Sequence, residues 1–152
     1  MVHDRNTFAL DIPYMPSDAP VRSPNALVAQ SLEASLTVRD LTASVAWYRD
    51  LLGFSVAREY RRDERLIAVA LEAGRVELLL VQDDGAKGLD RAKGEGFSLQ
   101  ITTTQNIDDL AARIEARGAR LETAPFSMAG KRAFRLRDPD GFRLTISSPR
   151  TA

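Results

Sequence analysis

Cysteine is absent from the 152 residues and histidine occurs once. The first absence removes disulfides, thiolate metal sites and cysteine nucleophiles together, and leaves the redox compartment open. The second leaves only His3, in the amino-terminal arm and away from every predicted strand, where it reads as a solvated terminal side chain. Net charge is also lacking: 21 basic residues balance 21 acidic ones, with a pI near 6.6, so nothing suggests the basic footprint of a nucleic-acid surface. No long apolar run occurs, and residues 1–6 mix acidic with basic side chains. Neither a signal peptide nor a membrane span is expected, and a cytoplasmic location is the default.

What is present is the balance of a globular chain, 44% hydrophobic and 28% charged, long enough for one full-sized domain or two small halves sharing a core. Residues 1–28 form an arm in which Pro13, Pro16, Pro20 and Pro24 forbid a continuous helix or central strand. Its Phe8, Leu10, Ile12, Tyr14 and Met15 could pack on the body or on a second subunit, or the arm could be a disordered leader. Ordered structure is expected from about Ala29, where Leu32, Ala34, Leu36 and Val38 alternate with Glu33, Ser35, Thr37 and Arg39. Asp40 then caps a helix carrying Leu41, Val45, Tyr48 and Leu52 at helical spacing, and Gly53 stops it. Residues 54–60, 66–71 and 76–81 read as three more strands, divided by the turn 61–64 and by 72–74.

The same order then repeats. After a polar, glycine-punctuated linker at 83–96, Leu99 and Ile101 alternate with Ser98, Gln100 and Thr102; Asn106 caps a helix bearing Ile107, Leu110 and Ile114; Gly118 ends it. Strands follow at 121–126, 134–137 and 142–146, the last two joined by Asp138-Pro139-Asp140-Gly141. The frames of the two halves, 29–82 and 97–149, agree to within a residue, as an internal duplication would make them. Tyr48 belongs to the apolar stripe of its helix, whereas Trp47 is placed to cover a cavity edge or a dimer contact.

A doubled strand-helix-three-strand unit with Val38-Arg39-Asp40-Leu41, Trp47-Tyr48, Leu51-Leu52-Gly53-Phe54 and Asp138-Pro139-Asp140-Gly141-Phe142 resembles the glyoxalase, bleomycin-resistance and extradiol dioxygenase superfamily, the vicinal oxygen chelate group. The resemblance implies an α+β fold: two βαβββ modules whose curved mixed sheets form an incomplete barrel around a cavity, often completed by dimerisation. In its metal-dependent branches, ligands sit on the first and last strand of each module. Those positions fall here on Glu33, on Leu79 (Glu77 if the register slips by two), on Ser98 and on Thr145. Serine, threonine and leucine do not supply the charge or basicity of a catalytic metal site, and Glu33 with Glu77 would hold a hard cation only weakly. No metal and no cofactor is expected.

Strand alternation in these registers predicts an inward, ligand-binding set of Glu33, Ser35, Thr37, Glu77, Leu79, Ser98, Gln100, Arg143 and Thr145, with Val81 and Thr102 beside them. The run 130–142 looks most like the metal-free bleomycin-resistance branch. The implied function is sequestration of a small molecule, cationic or aromatic, by a homodimer that performs no reaction. The alternative is a lyase, isomerase or dioxygenase of the same superfamily, with an atypical metal site or with Glu33 or Glu77 as general base. A structural module using sheet edges and the arm for self-association is a third reading.

Overall fold

Asp40 stands in extended backbone, and its carboxylate accepts from the Ala43 amide at 2.9 Å, so a free amide of the first helical turn is satisfied where strand β1 (Ala34–Val38) passes into helix α1 (Leu41–Leu52). Gly53 ends the helix at φ 80°, a left-handed conformation that strains other residues. In this computed structural model, which describes residues 26–151, three strands follow: β2 (Ser55–Arg62), β3 (Arg65–Ala73) and β4 (Val76–Gln82). The order then recurs as β5 (Ser98–Thr102), α2 (Ile107–Ala116), β6 (Leu121–Met128), β7 (Lys131–Arg137) and β8 (Arg143–Ser147). Asn106 caps α2 by accepting from the Asp109 amide at 3.0 Å.

Each repeat makes one mixed four-stranded sheet, ordered β1-β4-β3-β2 in the first and β5-β8-β7-β6 in the second. The first strand of each runs parallel to the last, and the other pairs are antiparallel. The two sheets are separate and do not close into a barrel, as expected of an α+β chain with incomplete closure. Contacts gather Leu32–Ala152 into one compact unit. Its core is a single cluster on the helix-bearing faces, joining Leu36, Val38, Tyr48 and Leu80 of the first repeat to Ile114, Phe134, Leu136 and Leu144 of the second.

Several boundaries differ from expectation. β1 begins at Ala34, not near Ala29, and Leu32 is 96% exposed. The parallel β1–β4 ladder begins with Ala34 opposite Leu78, which leaves Glu33 just outside it. The β2–β3 turn shrinks to Asp63 and Glu64, both at positive φ, because that geometry matches the twist of the flanking strands. Pro125 lies inside β6, where pairing skips from Thr123 to Phe126 on an edge strand, so its missing N–H costs no ladder bond. The expectations for residues 1–25, His3 among them, lie outside the described residues. Residues 26–31 have no regular secondary structure. No helix among the described residues is long and apolar enough to cross a membrane.

The Asp-Pro-Asp-Gly turn does more than join two strands. Asp138 takes the amides of Asp140 and Phe142 on Oδ1, each at 2.9 Å, and the Tyr48 hydroxyl of α1 on Oδ2 at 2.9 Å. Asp140 Oδ1 accepts from the Arg39 amide at 2.8 Å and lies 3.5 Å from Lys93 Nζ. Lys93 and Arg91, both from the linker, in turn approach Asp83 Oδ2 at 2.8 and 2.7 Å. The two repeats are thus joined by a buried polar seam as well as by apolar packing. Tyr48 packs in the core as expected, with Trp47 and Phe54 edge-on at 4.9 and 5.6 Å.

Candidate functional site

With the helices covering one face of each sheet, the other face carries the alternate residues of every strand. In the first sheet Ser35 lies opposite Leu79 and Thr37 opposite Val81, while β3 sets Ala70 beside Leu79 and Ala68 beside Val81. β2 completes these rows with Arg58 opposite Ala70 and Tyr60 opposite Ala68. Small alanines beside leucine and valine make an apolar floor. Around it stand Arg58, Tyr60, Glu72 and Glu77, with Glu33 just before the strand. Arg58 donates to the Tyr60 hydroxyl at 3.2 Å, and that bond leads the causes raising its pKa, to which Glu77 and Glu33 add by charge. Glu33, Arg58 and Glu77 therefore address the same space.

The second sheet repeats this geometry with different chemistry. Ser98 lies opposite Arg143, Gln100 opposite Thr145 and Thr102 opposite Ser147. Gln100 Nε2 donates to Ser98 Oγ at 2.9 Å. Arg143 pairs with Arg137 across the β7–β8 ladder, Thr145 with Arg135 and Ser147 with Ala133. Glu122 of β6 receives both Arg137 and Arg143 at 2.8–2.9 Å. The bond from Arg143, joined by that from Arg137 and opposed by desolvation, holds the Glu122 carboxyl below its ordinary range. Arg135 lies over the Phe126 ring with its guanidinium carbon 4.9 Å from the centroid.

Every residue of the predicted inward set that lies in a strand is thus on the face opposite the helix, in two groups, one per sheet. The prediction overlooked Arg58, Tyr60, Glu72, Glu122, Phe126, Arg135 and Arg137, which lie on those same faces. Their signal was available as period-two spacing (Arg58 with Tyr60, Arg135 with Arg137), but the prediction followed only the first and last strand of each module.

The four positions at which the resemblance places metal ligands can be tested by their donors. Glu33 is followed by Leu79, Ser98 and Thr145, and Arg143, the register partner of Ser98, directs its guanidinium to Glu122. One carboxylate, two alcohols and an alkyl chain do not suit a catalytic divalent ion. Among the described residues no cluster of three or more His, Cys, Asp or Glu side chains could hold one. Glu33 and Glu77 are both exposed.

A recess of about 430 Å³ occupies another part of the molecule, where the β2–β3 hairpin meets the end of β4. It is lined by Arg62, Asp63, Arg65, Ile67, Gln82, Asp83 and Asp84 and shares no residue with the predicted set. Its deepest group, Asp83, is already held by Lys93 and Arg91. The Lys93 contact, then the Gly85 amide, bring its carboxyl down to about 2 against the opposing effect of desolvation. Neither cation is aligned as a directed hydrogen bond to Oδ2, so the contact is ionic. It belongs to the seam between the repeats.

Comparison with known proteins bears on the architecture. The family model described as Glyoxalase/Bleomycin resistance protein/Dioxygenase superfamily matches residues 30–146. Among solved structures, TnmS3, an antibiotic binding protein from a Streptomyces species, superposes with a TM-score of 0.65 at 19% identity, covering 82% of this chain and 98% of that one. A superfamily member from Sphaerobacter thermophilus gives 0.64 at 19%, covering 80% and 98%. A virulence protein of Salmonella typhimurium gives 0.62 at 23%, covering 81% and 98%. At these identities the likeness is one of fold. No curated protein sequence matches the chain.

Proposed function

We propose, for a chain that belongs to the Glyoxalase/Bleomycin resistance protein/Dioxygenase superfamily, a metal-free binding protein of the bleomycin-resistance type that sequesters a small aromatic molecule on the open faces of its sheets. The observation that carries the reading is the pairing of two features on those faces. The strand positions of a metal site hold Leu79, Ser98 and Thr145, while an apolar floor of Ala68, Ala70, Leu79 and Val81 is ringed by a few polar groups. That is the make-up of a small-molecule site, in which apolar area supplies affinity and sparse polar groups supply orientation. The antibiotic-binding neighbour supports the same direction. Glu33 and Glu77 give the first sheet a preference for a cationic group on the ligand.

A second copy of the chain completes the site. The open face of the first sheet carries Glu33, Glu72 and Glu77 against Arg58, and that of the second carries Arg135, Arg137 and Arg143 against Glu122. Faces of opposite sign attract and orient one another in a two-fold assembly. The protein then works as a cytoplasmic homodimer.

The test is a thermal-shift screen of aromatic antibiotics, with and without a chelator, followed by mass analysis of the recovered compound. Sequestration predicts a saturable rise in midpoint, indifference to the chelator and recovery of unaltered ligand. Chemical conversion, or binding abolished by the chelator, would replace this reading with an enzymatic or metal-dependent one. No shift from any compound would remove the ligand-binding function.

A further inference from the structure

The two repeats share a frame but differ at the centre of their open faces. In the first, the row across the sheet reads Arg58, Ala70, Leu79, Ser35; in the second, the equivalent row reads Thr123, Arg135, Thr145, Gln100. Ala70 thus corresponds to Arg135, and Leu79 to Thr145. A guanidinium at the middle of a sheet face costs desolvation that alanine avoids, so the substitution calls for a return in binding.

Arg135 is half-buried, and among the described residues no carboxylate pairs with it. Its neighbours Arg137 and Arg143 share Glu122 between them, so three guanidiniums face one carboxylate and the excess positive charge lies at Arg135. Instead of an acid it meets the ring of Phe126, with its guanidinium carbon 4.9 Å from the centroid, a cation–π contact that restrains the guanidinium while leaving it N–H groups to donate. The ladder places Thr145 directly beside it and Gln100 one strand further. A fixed planar donor, a hydroxyl, an amide and an aromatic platform together match a planar anion.

We infer that Arg135, stacked on Phe126, is the anion-recognition residue of the ligand site, and that the ligand is an aromatic compound bearing an acidic group, a carboxylate, sulfonate or ionised phenol, which the guanidinium takes while the ring system extends along the sheet. This rests on the ligand-binding reading above and adds to it: a molecule with a basic group on the first sheet and an acidic one on the second would be dipolar, and the acidic end is the one that selects it here.

The test compares two fluorescent probes that differ by one group, 8-anilinonaphthalene-1-sulfonate and its uncharged analogue N-phenyl-1-naphthylamine. Native protein is expected to bind the sulfonate about tenfold more tightly than the neutral probe. Arg135→Gln should lose about tenfold for the sulfonate and nothing for the neutral probe, and Arg135→Lys, which keeps the charge but not the fork, should fall between them. Arg132→Gln serves as the control, because Arg132 is on the same strand but is bound to Asp108 of α2; it should leave both affinities unchanged. Circular dichroism confirms that each variant is folded. Equal affinity of native protein for the two probes, or sulfonate binding unaffected in both Arg135 variants, would overturn the assignment while leaving the ligand-binding reading in place. Failure of native protein to bind either probe would overturn both.

Discussion

Replacing Tyr48 by phenylalanine removes one oxygen from a side chain that is fully buried, and leaves the edge-on contacts with Trp47 and Phe54 intact. No cavity opens, so the cost isolates one interaction, the bond from the Tyr48 hydroxyl to Asp138 Oδ2 at 2.9 Å. Losing a hydrogen bond to a charged, buried acceptor costs about 1.5–3 kcal/mol, which for a chain of this length lowers the thermal midpoint by roughly 3–12 °C. The effect should depend on pH. Burial raises the Asp138 carboxyl above its ordinary value, and the Tyr48 bond, followed by the Phe142 and Asp140 amides, opposes that rise. Without the hydroxyl the folded pKa climbs further. A carboxyl with a raised folded pKa contributes stability that is complete below the unfolded value and is lost as pH rises through the folded one. The penalty of Tyr48→Phe is therefore largest at neutral pH and shrinks as the solution is acidified past the folded Asp138 value. Urea denaturation of the native protein, Tyr48→Phe, Asp138→Asn and the double variant measures both the penalty and the coupling, expected at about 1 kcal/mol or more. A Tyr48→Phe penalty that is the same in the Asp138→Asn background and at every pH would refute the assignment of this bond as the tie between α1 and the β7–β8 turn.

Two further outcomes follow from the same seam. Gly94→Ala should destabilise more than Gly96→Ala, although both residues have positive φ, because an added Cβ at 94 meets Phe142 Cδ1 at 2.9 Å and its Cα at 3.1 Å, whereas at 96 nothing lies within 4 Å; paired urea curves measure the difference. Asp83, with its carboxyl held down to about 2 by Lys93, contributes stability that is present above the ordinary carboxylate value and is lost as pH falls toward 2. Asp83→Asn should flatten that acid limb in a series of thermal melts.

Much of the fold was legible because its signals are local. Asp40 and Asn106 cap helices by bonding amides three residues on, and strand alternation assigns Leu36, Val38, Leu78 and Leu80 to one face before any partner is known. The face bearing Ser35, Thr37, Glu77, Ser98, Gln100 and Thr145 followed from the same periodicity. The edges were less legible. That β1 starts at Ala34 is decided by where its ladder with β4 begins, a matter of register between segments some forty residues apart.

The sequence by itself determined the order of elements, the duplication, the helix limits and the two faces of each strand, since each rests on bonds and periodicities within a few residues. Only the tertiary structure decided which charges meet. It gave Glu122 to Arg137 and Arg143, left Arg135 on Phe126, and drew Asp138 and Asp140 to the first helix and Lys93 to Asp83. A long ionic side chain has no local code for its partner; strand register and the close approach of the repeats choose it, and with it the chemistry of the open faces.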